Sequence, residues 1–193
     1  MSSPEAGPAG PLTSPIIDTD RRTTVLDSAL ATFARFGYRK TSMEEVARAA
    51  HISRPGLYFL FSSKEALFRA AATQALERDL AVVEDVLADA DRPLPERLVE
   101  AFDQWAGRYV GPLARDVTVV IADNPHLLGE IAQTAPRRFE ELITDAIAAA
   151  SGHETAAPVA QTMISTSIGL KHQAATREAY LERLKVAIRL LVR

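Results

Sequence analysis

Between His51 and Phe68 the sequence HISRPGLYFLFSSKEALF gathers a serine hydroxyl (Ser53), a guanidinium (Arg54), a phenol (Tyr58) and an ammonium (Lys64). With Thr41 and Ser42 just upstream, these groups donate hydrogen bonds to anionic oxygens. Arg54 also belongs to the residue type that pairs bidentately with a guanine edge. The chemistry is recognition rather than bond breaking. His51, His126, His153 and His172 are scattered, with no His-x-x-x-His spacing, no phosphate-binding glycine loop and no nucleophile elbow. The run Asp123, Asn124, Pro125, His126 reads as a capping residue ahead of a first-turn proline. No enzyme, cofactor or metal site is expected.

Helices must position these groups. Leu26, Ala29, Leu30 and Phe33 recur at helical spacing up to Gly37, a suitable C-cap. Ser42 with Glu45 forms a capping box for a short second helix with Val46, Ala47 and Ala50 on its apolar face. Ser53 caps a third helix, with Pro55 in its first turn and Ile52 placed to staple onto Leu57. Ser62 with Glu65 predicts the cap of a fourth. Two short helices joined by so tight a turn match a helix-turn-helix, and His51 falls where the turn calls for positive φ. Further on, "DRPLP", "VGP", "DNP", "SGHETAAP" and "HQAATRE" divide long helical segments, without strand alternation or internal repeat. The fold class is all-α, with about nine helices as the estimate from this pattern.

Charge is unevenly distributed. The net charge is -3, yet residues 21–70 hold nine Lys/Arg against four Asp/Glu, and residues 71–193 hold thirteen against eighteen. A basic block on an acidic body is what a single phosphate-approaching domain requires, although ordinary solvated charge gives similar counts. The 193 residues contain no cysteine, and no run of about 18 apolar residues would span a membrane. The start, MSSPEAGPAGPLTSP, has neither the basic nor the apolar part of a signal peptide, so a cytoplasmic location and a disordered tail over 1–20 are expected.

The tract TTVLDSALATFARFGYRKTSMEEVARAAHISRPGLYFLFSSKEALFRAA resembles the N-terminal domain of the TetR family of transcriptional regulators. The Phe-x-x-Gly-Tyr end of helix one, the Thr-Ser start of helix two, the Leu-Tyr-x-x-Phe run and the Ser-Lys-Glu-x-Leu start of helix four fall in register together. The resemblance implies a homodimer reading a palindromic double-stranded DNA operator, with a C-terminal domain that binds a small-molecule effector. It divides the chain into a tail (1–20), a three-helix helix-turn-helix DNA-binding domain (21–69) and a ligand-binding and dimerisation domain (70–193).

Within that frame Leu57 and Phe61 face inward, and Tyr58 sets its hydroxyl on a phosphate. Lys64, Ser42, Ser53 and Thr41 meet phosphates near helix starts. Arg54 reads a base, while Pro55 and Gly56 let the backbone come close to the DNA. Phe59 and Leu60 depart from the polar residues common at these places in the family. They either touch thymine methyl groups or pack inward, packing being favoured for Leu60. Arg21 and Arg22 either reach the backbone or an adjacent groove, or form a solvated pair.

Leu98, Phe102, Trp105 and Tyr109 form one apolar and aromatic stripe of a fifth helix, either core or pocket wall. As ligand contacts we expect Phe102, Trp105, Tyr109, Asp116, His126 and Met163, with a mainly apolar ligand. The dimer face is expected at Ile164, Ile168, Leu181, Leu184, Ile188 and Leu191, where burial inside one chain is the competing explanation. The function this supports is a ligand-responsive repressor. The alternative is a small-molecule-binding protein of the same fold with weak or non-specific DNA binding.

Overall fold

The computed structural model describes residues 15–110, 125–151 and 153–192. Its elements are α1 (Pro15–Phe36), α2 (Met43–Ala49), α3 (Arg54–Leu60), α4 (Lys64–Ala88), α5 (Leu94–Trp105), a 3-10 turn (Gly107–Tyr109), α6 (Pro125–Leu128), α7 (Ile131–Ser151), α8 (His153–Gln173) and α9 (Arg177–Leu191). The fold is all-α, with nine α-helices among the described residues.

Two apolar cores form. The head core gathers Val25, Leu26, Ala29 and Phe33 of α1, Val46 and Ala47 of α2, Leu57 of α3, Phe61, and Leu67 and Phe68 of α4. Phe68 meets Phe33 edge-on at 5.2 Å and Tyr38 at the same distance, so three rings close the corner between α1 and α4. The body core is built from α4, α5, α7, α8 and α9 around Leu98, Phe102, Phe139, Ile143, Met163, Tyr180 and Leu184. The long α4 contributes to both cores and joins them.

Three local expectations are corrected. Helix α1 begins at Pro15, so the tail boundary at residue 20 falls inside a helix. The cap of α4 is Ser63, whose hydroxyl accepts from the Ala66 N–H at 3.0 Å, and not Ser62. Helix α5 ends at Trp105, and Tyr109 sits in the 3-10 turn rather than on a continuous stripe. The chain tightens there at Gly107, where a Cβ would run into the Asp103 carboxylate and lie 3.0 Å from the Tyr180 ring. Tyr180 is fully buried and pairs its hydroxyl with Ser167 at 2.8 Å; burial pushes its phenol up to about 12.

Candidate nucleic-acid interface

The turn between α2 and α3 is built from backbone hydrogen bonds. After Ala49 the Ile52 N–H reaches back to the Ala47 carbonyl at 3.0 Å, and the His51 N–H reaches Arg48 at 3.2 Å. This paired closure is the Schellman arrangement, which needs a left-handed residue at its corner. His51 supplies it at φ 54, as the sequence predicts, where glycine would cost less strain. Ser42 closes the other end of α2. Its hydroxyl accepts the Glu45 N–H and donates to the Glu45 carboxylate at 2.8 Å, while that carboxylate accepts the Ser42 N–H at 2.7 Å. Hydrogen bonds from the Ser42 backbone and hydroxyl hold the Glu45 carboxyl below the usual carboxylate range.

Helix α3 presents one face to solvent. Leu57 is fully buried and Phe61 is 4% exposed, so both anchor the helix inward. Ser53, Arg54, Pro55, Tyr58 and Phe59 are exposed. Arg54 holds its guanidinium 5.7 Å from the centre of the Tyr58 ring, so the two project as a pair. Ser53 Oγ accepts from Gly56 N–H at 3.1 Å and keeps its own proton for an outside acceptor. A Cβ at Gly56 would sit 3.0 Å from that oxygen, so the glycine makes room for the cap. Phe59 is 90% exposed. That rules out the packed alternative for Phe59, whereas Leu60 is half-buried against the head core. Nearby, the Arg22 guanidinium lies 4.4 Å above the Phe61 ring.

Two expected phosphate contacts are corrected. Thr41 is 2% exposed, and its hydroxyl donates to the Gly37 carbonyl at 2.9 Å. Lys64 spends two of its three donors on the carbonyls of Tyr38 at 3.1 Å and Thr41 at 3.0 Å, and lies over the Tyr38 ring at 4.6 Å. It clamps the start of α4 to the α1–α2 link. Its geometry is therefore that of a positioning residue for the exposed face.

In the body, Phe102 and Met163 are each 1% exposed and belong to the core. Trp105 is half-buried and stacks on Phe139 at 4.9 Å with an interplanar angle of 10°. Tyr109 donates its hydroxyl to Asp79 Oδ2 at 2.5 Å, and burial, followed by that bond, holds its phenol well above the usual tyrosine range. His126 is exposed on α6, and Asp116 lies outside the described residues. An open groove of about 450 Å³ runs between α5 and α9 over Val99, Leu181 and Ile188, away from the expected ligand contacts.

The expected dimer face divides. Leu184 is fully buried and Ile188 is 1% exposed, so both serve the chain's own core and are removed from that face. Ile164, Leu181 and Leu191 are half-buried, while Ile168 stands 55% exposed. The sequence pattern missed Val186 and Leu190, 46% and 70% exposed on α9.

The caps, the Schellman turn and the exposed face of α3 define a helix-turn-helix domain of the DNA-binding class. Residues 25–71 match the model of the bacterial regulatory proteins of the tetR family. An HTH-type transcriptional regulator of Escherichia coli, RutR, is 39% identical over 57 residues, 30% of this chain and 27% of that protein. The nicotine-responsive transcriptional repressor HdnoR of Paenarthrobacter nicotinovorans is 25% identical over 140 residues, 70% of this chain and 72% of that one. A TetR-family regulator structure from Mesorhizobium loti superposes with a TM-score of 0.75 at 16% identity, covering 90% of this chain and 95% of the other. The head therefore matches the tetR family over residues 25–71, and the chain as a whole shares the fold of TetR-family regulator structures. It matches only about a quarter of the length of the first curated relatives, so the family evidence is strongest at the head.

Proposed function

We propose that the protein is a ligand-responsive transcriptional repressor that binds a palindromic operator as a homodimer. The observation that carries this reading is the face of α3. Arg54, Tyr58 and Phe59 project from a helix whose opposite side is locked into the head core, as a groove reader requires. Phosphate attraction acts over roughly 8 Å at physiological salt, so the basic head binds despite the acidic body. Pairing about a two-fold axis is supported by the exposed apolar side chains Ile168, Val186 and Leu190 on the hairpin of α8 and α9. Two coupled heads would then meet half-sites one helical turn apart, about 34–36 Å. Ligand response is supported by the likeness to HdnoR, which extends through most of both chains. A ligand favouring splayed heads would release the operator.

Selection of bound sequences from a random duplex pool, with the purified protein at physiological salt, tests this. Enrichment of an inverted repeat is the expected result. A folded dimer that enriches nothing would overturn it.

A further inference from the structure

Midway along α4 the body buries one carboxylate. Asp79 is 4% exposed, and its three partners come from the last residues of α5 and the 3-10 turn. Gln104 Nε2 and an Arg108 guanidinium nitrogen each donate to Oδ1 at 2.8 Å, and the Tyr109 hydroxyl donates to Oδ2. Two of the three donors are neutral. The third is a guanidinium on a side chain that is 45% exposed, against 5% for the aspartate, so Arg108 reaches in from the surface and covers the carboxylate. One aromatic ring, that of Tyr109, lies at the pair. The Tyr109 ring has the Arg108 guanidinium 5.3 Å from its centre and Lys171 Nζ at 5.7 Å on half-buried Lys171, while Trp105, next to Gln104, stacks on Phe139.

We infer that Asp79, Gln104 and Tyr109 form a binding site for a flat organic monocation, such as an amidinium or an aromatic ammonium, that Arg108 occupies in the free protein. This deepens the ligand-responsive reading above and rests on it. A buried carboxylate left without a cation is costly, so a ligand must bring its own charge when it displaces Arg108. The exchange keeps the ion pair and returns the exposed arginine to water. Gln104 and Tyr109 remain bonded to Asp79 and fix the direction of its oxygens, while the Tyr109 ring favours a cation with a flat π-system. A neutral molecule of the same shape is rejected because it leaves the carboxylate unpaired. The site also sits on the helix that carries Lys64, 15 residues earlier and about 22 Å along the axis at 1.5 Å per residue. An occupant there changes how the end of α5 grips the rod that positions the head.

The test uses benzamidinium, which presents two parallel N–H donors on an aromatic ring, and its neutral isostere benzamide, with the full chain in the absence of DNA. The emission of Trp105, the chain's single tryptophan, and calorimetry read binding. Saturable binding of benzamidinium, at least tenfold tighter than benzamide, is expected. Asp79→Asn should weaken it at least tenfold, and Arg108→Ala should tighten it by removing the competitor. Because Asp79→Asn breaks a buried ion pair, its helicity is checked, and the Arg108→Ala comparison decides independently. Binding by Arg108→Ala with none by the natural sequence would reduce the cluster to an internal ion pair and overturn the inference. Equal binding of benzamide would overturn it too. Operator release by an uncharged metabolite, with benzamidinium inert, would remove this site and leave ligand response standing. Benzamidinium binding that leaves operator affinity unchanged would keep the site and remove the response.

Discussion

Arg69 donates from Nε to the Leu127 carbonyl at 3.0 Å, tying the second turn of α4 to a helix that follows 58 residues later. Behind that bond Leu127 and Leu128 are 6% and 4% exposed within the head core, and Gly129 turns away at φ 68 beneath the arginine. The head is therefore completed by side chains from the body's part of the sequence. Leu128→Ala should destabilise the chain by about 2–5 kcal/mol through the cavity it leaves. It should also weaken DNA binding, although no residue of α3 has changed. Thermal unfolding followed by circular dichroism checks this, and an unchanged midpoint would show that α6 docks without contributing.

Lys64 and Arg54 should separate stability from specificity. Lys64→Ala removes two charge-assisted bonds to main-chain carbonyls, at roughly 1.5–3 kcal/mol for hydrogen bonds to charged groups. It should lower the melting temperature and weaken binding to every duplex alike. Arg54→Ala should leave the melting temperature in place and relax one base position, at about 1–3 kcal/mol of discrimination. Titrations against the selected palindrome and a scrambled duplex distinguish them, and equal losses on both duplexes for Arg54→Ala would remove it from base reading.

These contrasts show what the sequence made legible. The Ser42 box, the Ser53 cap and the positive φ of His51 were readable because each depends on a few neighbouring residues. The choice between Ser62 and Ser63 was not, since it turns on how Phe61, held in the head core with extended backbone, delivers the chain to α4. An apolar stripe announces burial but not the partner, so the spacing of Leu184 and Ile188 suits a second chain as well as the chain's own core, where both are buried. Asp79 was missed because its partners lie 25–30 residues away. A local signal existed, since Asp79, Val83 and Leu87 fall at i, i+4 and i+8 on one buried face of α4.

The Ser42–Glu45 box makes acid sensitivity a property of the head. Glu45's folded-state pKa is lowered, chiefly by the Ser42 N–H, so its contribution is present above the ordinary carboxylate range and is lost as pH falls through the folded value. Glu45→Gln should flatten the acid limb of a stability–pH curve by lowering stability in the neutral region, and leave the acid end little changed. Urea unfolding between pH 3 and pH 7 measures it, and an unaltered slope would mean the box persists in the unfolded chain.

Leu190 and Leu184 lie on one helix and should fail differently. Leu190 is 70% exposed, so Leu190→Glu should leave the monomer folded and shift sedimentation from dimer to monomer. Leu184 is fully buried, and Leu184→Ala should cost about 2–5 kcal/mol of stability within each chain. A dimer that survives Leu190→Glu together with Ile168→Glu would move the interface off this hairpin.

Phe59 should act on the operator and not on the fold. At 90% exposure its removal leaves no cavity, so Phe59→Ala should change stability by less than about 0.5 kcal/mol. The ring has no hydrogen-bonding group, which leaves apolar contact with a thymine methyl as its means of reading a base edge. A methyl group withdrawn from water is worth about 0.8 kcal/mol, close to a fourfold change in affinity. Replacing thymines of the selected half-site one at a time by uracil should therefore weaken the natural protein about fourfold at one position. Phe59→Ala should lose that dependence at the same position and keep every other. If uracil costs both proteins equally throughout the half-site, Phe59 does not read a methyl, and its exposed ring contributes no base discrimination.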